Sequence, residues 1–451
     1  MPPALALFLC LIFIIYLLWT DTRRKAKVSY ALWIPLIWMM ILGSRLVSQW
    51  LDAGSLSGSL EEGNPLDAGV FSLLIGAGLF ILARRRVALL QVIHDNPWLA
   101  IFFIYCGVSI GWSDFPFVSF KRWVKELGHL VMVLVVLTEA TPVEAVKALL
   151  RRFTYVLIPT SVVLIKYYPY IGRQFSYWSG EAMNVGVTTS KNMLGNLCLV
   201  TGFFFFWSLF TMWRDKTTSM DKSDLFVHVL FLAMIWWLLA LSSSATSLMC
   251  LGIGICIIVA FEVPALRKSP KSGTLMIVGS VLLFILLEKV FDLSQVIVAG
   301  LGRDPTLTGR SEIWGEVLSM VPNELVGTGY DSFWLGDRLK LMWAKHWWRP
   351  TGSHNGYLET YINLGWIGVL LLCALIVAIF RKIQAEVMSN YDYGRFEMAM
   401  LIMALVYNLT EVAFKGVMLV WFMLLLITVK VHARSQMTAA VRVTPSSPVL
   451  R

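Results

Sequence analysis

The sequence predicts an all-α polytopic membrane protein with about 12 to 13 transmembrane helices and a long, partly helical loop. Hydrophobic residues form 57% of the 451 positions, whereas charged residues form 15%. Apolar runs of membrane-spanning length recur along the whole chain. Between them, the segment from 290 to 355 is far longer than an ordinary connection.

The apolar runs give the order of the predicted spans. They lie near 4–20, 29–43, 67–83, 97–112, 127–140, 153–168, 192–213, 225–243, 246–262, 273–289, 356–380, 397–413 and 417–430. The first run has no basic residue before it and no A-x-A site after it, so we expect no cleaved signal peptide. The cysteines lie inside apolar runs without metal-ligand spacing and are expected to be small core residues.

The positions of the basic residues predict how the chain is oriented. The excess of 38 basic over 28 acidic residues gives a net charge of +10, which falls mostly between apolar runs. Topology therefore explains the charge better than nucleic-acid binding does. Basic clusters alternate consistently with the spans and are predicted to be cytoplasmic: 23–27, 84–86, 147–152, 214–222, 267–271, 381–382 and the tail. An odd number of spans then puts the N-terminus outside and the C-terminus inside.

This orientation divides the chain into three parts. Residues 1–184 form the N-terminal transmembrane helices, and 185–430 form a transmembrane core that includes the outer loop 290–355. Residues 431–451 form a cytoplasmic tail. The remaining outer segments are 44–66, 113–126 and 167–190.

The outer loop has a pattern typical of ordered structure. In GRSEIWGEVLSMV, Ile313, Val317 and Val321 fall on one stripe, which predicts an amphipathic helix. The glycine turn GTGYDSFW and the aromatic, basic stretch MWAKHWWRP follow, and the latter is typical of headgroup level. We expect the loop to lie over the outer face as a lid.

A second amphipathic stretch, PFVSFKRWVKEL, precedes the span at 127–140. Phe117 and Phe120 share one face, whereas Lys121, Arg122 and Lys125 occupy the other. It is expected to be an interfacial helix, which either rests on lipid headgroups or guides a phosphate group.

Familiar nucleotide and metal motifs are absent from the sequence. It contains no G-x-x-x-x-G-K-[ST], no H-E-x-x-H and no D-x-D, so soluble nucleotides are poor candidates and we expect neither a metal nor a cofactor. The outer segments instead carry cations near membrane level: Arg173, Lys191, Arg303 and Arg310. Arginine suits bidentate phosphate contacts, so a lipid-linked diphosphate is the natural ligand. Alternatively, Lys191 snorkels to the interface and Arg310 pairs with a glutamate of its own helix.

His354 lies at the start of an apolar helix, in TGSHNGYLETYINLGWIG. Its imidazole could accept the proton of a hydroxyl that attacks an anomeric carbon. The alternative is a structural role at the helix N-terminus, with Ser353 or Asn355 as the cap. Tyr357 and Glu359 are predicted supporting residues, and Glu359 is placed to orient His354 or to fix the loop.

NLTEVAF places two further polar residues, Asn408 and Glu411, near the outer end of a span. A glutamate inside a membrane is a functional hypothesis. We favour a structural interpretation, because Lys415 follows at the i,i+4 spacing of a helical ion pair.

Five motifs in this order carry a family resemblance: TSKNMLGN, LTGRSEIW, GTGYDSFW, HNGYLETYINLGWIG and NLTEVAF. Over residues 185–415 the sequence resembles the O-antigen ligase and exopolysaccharide polymerase family, and 308–368 is the most specific part. The resemblance implies a GT-C-like membrane glycosyltransferase at the periplasmic face of the bacterial inner membrane. Such proteins transfer glycan from undecaprenyl diphosphate to an acceptor hydroxyl without a nucleotide sugar or a required metal.

The resemblance also implies roles for individual residues. His354 matches the loop histidine that activates the acceptor, Arg310 matches an arginine on the diphosphate, and Lys191 with Asn192 matches a Lys-Asn pair. Polymerase-like members commonly carry a histidine where Ser190 stands, so no proton transfer is assigned there.

The acceptor is a second lipid-linked repeat unit in polymerases and lipid A core in ligases. The K-N-x-L-G and NLTE stretches favour polymerisation. A chain-length regulator and a flippase are the implied partners, and nucleic acid is not one. A secondary transporter or flippase is the alternative of another class, but it would need an internal repeat and charges near the bilayer midplane. A scaffold without catalysis would leave an ordered outer loop unexplained.

Overall fold

The computed structural model describes residues 1–24, 28–52, 63–175, 180, 182–215, 221–269, 271–272, 274–275, 278–279 and 310–431. The protein is an all-α polytopic membrane protein, as the sequence predicts. Within these ranges, six helices are long and apolar enough to cross a membrane, and four shorter apolar helices accompany them. Each predicted span overlaps a helix, except 273–289, which lies largely outside the described residues.

The first part of the chain is helical up to a small hairpin. Its helices are α1 (Pro3–Arg24), α2 (Trp33–Leu42), α3 (Val47–Trp50), α4 (Pro65–Arg84), α5 (Leu89–Asp95), α6 (Pro97–Val108), α7 (Pro116–Leu137), α8 (Pro142–Tyr167) and α9 (Pro169–Gly172). Short 3-10 turns, Tyr30–Leu32 and Ser109–Trp112, precede α2 and follow α6. The hairpin pairs β1 (Arg173–Phe175) with antiparallel β2 (Ala182–Asn184).

The second part contains the predicted core. Its helices are α10 (Lys191–Arg214), α11 (Lys222–Ser242), α12 (Ala245–Ala260), α13 (Pro264–Lys268), α14 (Arg310–Ser319), α15 (Gly336–Lys345), α16 (Gly356–Ser389), α17 (Tyr391–Tyr407) and α18 (Leu419–Thr428). Proline at the first position starts α6, α7 and α8, where its missing N–H costs nothing. Side-chain caps start others: Ser190 Oγ accepts from Met193 N, and Asn355 Oδ1 accepts from Tyr357 N.

The helices define two ends of the bundle, which we call the inner and the outer end. At the inner end, Arg85 pairs with Glu139 and Arg214 pairs with Asp392. At the outer end, the backbone N–H of Gly356 donates to the carbonyl of Asn408 at 2.8 Å. Residues that the basic clusters predict to lie on the same side of the membrane therefore contact one another at the same end of the bundle. That the inner end is cytoplasmic stays a prediction.

Two predictions for the N-terminal half of the chain, an interfacial helix and a cytoplasmic loop, are wrong. PFVSFKRWVKEL is not a separate interfacial helix, because α7 runs unbroken from Pro116 to Leu137. The predicted cytoplasmic loop 147–152 lies inside α8. Its Arg151 and Arg152 are buried because both guanidinium groups bind the carboxylate of Asp21 on α1.

The described part of the outer loop contains the predicted amphipathic helix, although α14 ends at Ser319, before Val321. Ile313 and Val317 of α14 are fully buried on one stripe. They pack in a small core of their own with Phe333, Met342 and Ile362. Because Ile362 belongs to α16, this core fixes the loop onto the helix that begins just after His354.

Candidate active site

A break in α16 receives the outer loop. Gly365 has a φ of 63° inside the helix, and a Cβ there would lie 2.2 Å from the carbonyl carbon of Leu325. The freed N–H groups of Trp366 and Ile367 donate to the carbonyls of Glu324 and Leu325, at 2.8 and 3.1 Å. A glycine is needed here because another side chain would meet the loop backbone and be strained at this φ.

The same loop is also held by the turn before the break. The N–H groups of Thr328 and Gly329 donate to the carbonyls of Ile362 and Asn363, at 3.1 and 2.9 Å. The side chain of Asn363 accepts from the N–H groups of Ser332 and Phe333. The segment 324–333 is therefore docked on α16 by main-chain bonds and by the side chain of Asn363.

His354 stands in a strained and well-supported turn before α16. Its φ is 52°, a left-handed conformation that is uncommon for a residue other than glycine. The preceding Ser353 is fully buried, its N–H and hydroxyl donate to Glu359 Oε2, and its carbonyl accepts from Trp314 Nε1 at 2.9 Å. Asn355 caps the helix on the other side. These neighbours fix the backbone, whereas the His354 side chain stays 34% exposed.

Glu411 faces His354 and joins it to a third motif. Its Oε2 lies 3.5 Å from His354 Nδ1, a long hydrogen-bond distance, and its Oε1 accepts from Asn192 Nδ2 at 3.0 Å. The Glu411 carboxylate is only 12% exposed. The motifs around residues 192, 354 and 411 therefore meet at one point, although more than half of the core sequence separates the first from the last.

The turn that carries Glu411 is fixed by Asn408. The predicted span 397–413 is too long, because α17 ends at Tyr407. Asn408 Oδ1 then accepts from Ala413 N at 2.8 Å, while its carbonyl accepts from Gly356 N. The two predicted supporting residues Asn408 and Tyr357 are thus structural, since the Tyr357 hydroxyl donates to the carbonyl of Leu405.

Lys415 does not pair with Glu411, contrary to the sequence prediction. The i,i+4 spacing requires a helix, and residues 408–418 form a turn instead. The Lys415 ammonium binds Asp331 at 2.8 Å and Glu359, so Glu411 remains turned toward His354.

Asp331, Lys415 and Glu359 form a charged cluster beneath the turn. Arg122 of α7 extends it, because its guanidinium lies 3.4 Å from Asp331. Burial alone would raise the pKa of Asp331, but Lys415 and Arg122 outweigh burial and hold that pKa below its usual value. Conversely, the two carboxylates raise the pKa of Lys415 although burial opposes them. The cluster links the loop, α7 and α16.

A narrow cleft adjoins this cluster. Its walls include Trp123, Glu126 and Tyr330 together with Asp331 and Lys415. Glu126 is buried and accepts from the backbone of Gly416 and from Trp421 Nε1 at 3.0 Å, so its carboxylate fixes the turn from below.

Sequence reasoning missed the roles of Arg122, Glu126 and Asp331. Asp331 lies in GTGYDSFW, one of the motifs that carried the resemblance, and it has a φ of 49°, like His354 in the left-handed region. Arg122 and Glu126 are one helical turn apart in α7. Their spacing of four residues predicts that both side chains lie on the same face of the helix.

Of the four predicted phosphate-binding cations, the structure describes the side chains of two. Lys191 begins α10, is exposed, and precedes the Asn192 that binds Glu411. Arg173 is exposed in β1, opposite Asn184. Arg303 lies outside the described residues. Arg310 begins α14, and its side chain is likewise outside them.

The backbone nevertheless positions Arg310. It lies one helical turn before Trp314, whose indole reaches Ser353 next to His354. One turn corresponds to about 5.4 Å along the helix axis. The N-terminus of α14 therefore lies on the same side of the loop as His354.

The described residues contain no group of three or more His, Cys, Asp or Glu arranged to hold a metal ion. The independence from a metal that the resemblance implies stays a prediction. The polar groups around His354 include its contact with the Glu411 carboxylate, the charged cluster, and the exposed cation Lys191 next to Asn192.

Residues 229–373 match a family model described as O-antigen ligase. The matched segment contains His354, Glu359 and Asp331. The chain is also 26% identical over 296 residues to the exopolysaccharide production protein ExoQ of Rhizobium meliloti (strain 1021), covering 63% of this chain and 64% of the relative. The chain thus spans just under two thirds of that relative's length. These similarities confirm the resemblance that the motifs predicted.

Proposed function

We propose that the protein is a membrane glycosyltransferase that transfers glycan from undecaprenyl diphosphate to an acceptor hydroxyl, and that it polymerises exopolysaccharide or O-antigen repeat units. One observation carries the proposal. The His354 imidazole, the Glu411 carboxylate and the Asn192 amide, with the exposed Lys191 next to it in sequence, converge at the outer end, which the basic clusters predict to be periplasmic.

His354 acts as the general base in this proposal. If Nδ1–H donates to Glu411, Nε2 carries the free lone pair and can accept the proton of the acceptor hydroxyl. The Glu411 carboxylate then stabilises the imidazolium that forms, as a partner carboxylate does in other base-activated sites. Glu411 is therefore a positioning residue, and His354 is the catalytic residue.

The transfer balances without a metal or a redox partner. The acceptor oxygen forms a bond to the anomeric carbon while its proton passes to His354 Nε2. The bond from that carbon to the diphosphate oxygen breaks, and undecaprenyl diphosphate leaves with the electron pair. Its negative charge needs cations more than a proton, and Lys191, Arg173, Arg303 and Arg310 are the residues proposed to supply them.

Ligation to lipid A core is the second candidate function. It is favoured by the description of the family model that matches residues 229–373. Polymerisation is favoured by the name of the relative, an exopolysaccharide production protein, and by the K-N-x-L-G stretch that begins α10. In either case the donor is a lipid-linked glycan, the location is the bacterial inner membrane, and a flippase and a chain-length regulator are the proposed partners.

The test is complementation of a strain that lacks the gene. His354→Gln and Arg310→Ala are expected to abolish polymer, whereas His94→Gln, which changes an 84%-exposed histidine at the inner end, is expected to restore it. Glycan chain length and attachment to lipid A are scored separately. Loss of long chains with single units still attached supports a polymerase, and loss of all attachment supports a ligase. Normal polymer from His354→Gln at wild-type protein level would overturn the proposal.

A further inference from the structure

A groove at the inner end lies far from the candidate active site. It is bordered by the start of α6, the C-terminal half of α16 and the end of α18. Its walls are mainly apolar, and two of their side chains are well exposed, Trp98 at 43% and Val377 at 49%. Exposed apolar surface on a membrane-spanning helix faces lipid, so the groove opens toward the bilayer.

Cations gather where this groove meets the inner end. Lys382 donates to Asn96 Oδ1 and, at 3.5 Å, to the carbonyl of Thr428. Arg381 beside it is exposed, and Lys430 lies nearby because its ammonium donates to the carbonyl of Lys382 at 3.2 Å. The carboxylates near this group are Glu386, 3.8 Å from Lys430, Asp95 next to Asn96, and the buried Glu397, which interacts with Lys430. Arg381 and Lys382 line the groove itself, whereas none of these carboxylates does, so the groove wall is positive at this end.

The first turn of α6 adds to this positive potential. The helix begins at Pro97, right after Asn96, and runs to Val108. The unpaired N–H groups and the dipole of a helix N-terminus attract anions, particularly phosphate. An anion held there would lie next to Lys382, because Asn96 binds that ammonium.

An apolar stripe leads away from the cations along α16. Arg381, Val377 and Cys373 are spaced by four residues and are all exposed, so they line one face of the helix. The distance from residue 381 to residue 373 is about 12 Å along the axis. This is the arrangement that a phosphate with an attached acyl chain would match.

We propose that this groove binds one anionic phospholipid of the leaflet at the inner end. Its phosphate lies between Arg381, Lys382 and the N-terminus of α6, and one acyl chain follows Val377 and Cys373. Free phosphate would use the cations but would leave the apolar stripe uncovered. Basic pockets between helices at the cytoplasmic side are a recognised way of binding such lipids.

The test uses the purified full-length protein in detergent with an equal mixture of phosphatidylglycerol and phosphatidylcholine, followed by native mass spectrometry. Arg381→Gln removes one charge-assisted contact, and about tenfold weaker retention of phosphatidylglycerol is expected. Val377→Trp keeps every cation but fills the stripe, and it is expected to weaken retention similarly. Arg84→Gln removes an exposed cation at the end of α4 and should change nothing.

Three results would overturn the proposal. Equal retention of the two lipids by the wild type would show no preference for an anionic headgroup. Retention unchanged by both Arg381→Gln and Val377→Trp would place the lipid elsewhere. Displacement of phosphatidylglycerol by inorganic phosphate at equal concentration would identify the site as one for free phosphate.

Discussion

Glu359 is expected to hold the active-site turn together, and its substitution gives the most detailed prediction. Its Oε2 accepts from Ser353 N, Ser353 Oγ and Trp334 Nε1, at 3.1, 2.8 and 3.2 Å, while Oε1 binds Lys415. The side chain is 2% exposed, so water cannot replace these bonds. In Glu359→Gln, the amide oxygen can keep the three donors, but the NH₂ group then faces the Lys415 ammonium.

The expected cost follows from these contacts. Glu359→Gln loses one charge-assisted hydrogen bond, which should lower the free energy of unfolding by about 2 kcal/mol. The loss is limited to this bond because Lys415 keeps its ion pair with Asp331. Glu359→Ala also leaves buried donors unsatisfied and should cost roughly 3 to 5 kcal/mol. Thermal unfolding in detergent, followed by intrinsic fluorescence, should give midpoints that decrease from the wild type to Glu359→Gln and further to Glu359→Ala. The control is Glu324→Gln, an exposed glutamate of the same loop. If Glu359→Gln unfolded with the same midpoint as this control, the assigned role of Glu359 would be wrong.

Three further predictions concern the same end of the molecule. Glu411→Gln should lower the transfer rate by about tenfold or more, because the Glu411 carboxylate orients the His354 imidazole and stabilises the imidazolium; an unchanged rate in a purified transfer assay would contradict this. Gly356→Ala should destabilise by about 1 to 3 kcal/mol in thermal unfolding, because a Cβ would lie 1.9 Å from the side-chain oxygen of Asn408. The pKa of Asp331 is lowered, so its ionised form stabilises the fold above the unfolded-state pKa of about 4, and this stability is lost as the pH falls through the lower folded-state pKa. Between about pH 5 and about pH 3, Asp331→Asn should therefore lose less unfolding free energy than the wild type. Parallel acid-unfolding profiles of the two proteins would refute the assignment.

The sequence was sufficient for features that depend on local pattern. Apolar runs located the described spans, and the stripe of Ile313 and Val317 located α14. The cap at Asn355 follows from the preference of helix N-termini for asparagine. His354 could be singled out because a titratable group is unusual at such a position.

Features that depend on distant contacts were not predictable in the same way. The pairing of Lys415 with Glu359 and Asp331 requires α17 to end at Tyr407, which the continuous apolar run does not reveal. Similarly, the break at Gly365 depends on the loop backbone that replaces the lost helical bonds. Glycine inside an apolar run is compatible with both a straight and a broken helix.

The burial of Arg151 and Arg152 also depends on a distant contact that the local sequence does not reveal. Two adjacent arginines between apolar runs are typical of a short cytoplasmic loop. The carboxylate of Asp21 on α1 binds both guanidinium groups, one through each oxygen, so the helix continues through them. The two basic residues therefore predicted a loop where the structure has a continuous helix.

The most direct test of the central claim is the transfer rate of the purified protein with a synthetic undecaprenyl-diphosphate-linked repeat unit as donor and acceptor. We predict that His354→Gln lowers this rate by about 10² to 10⁴-fold while the unfolding midpoint stays near that of the wild type. His94→Gln should retain the full rate. A His354→Gln protein that is correctly folded and still transfers at the wild-type rate would contradict the assignment of His354 as the acceptor base.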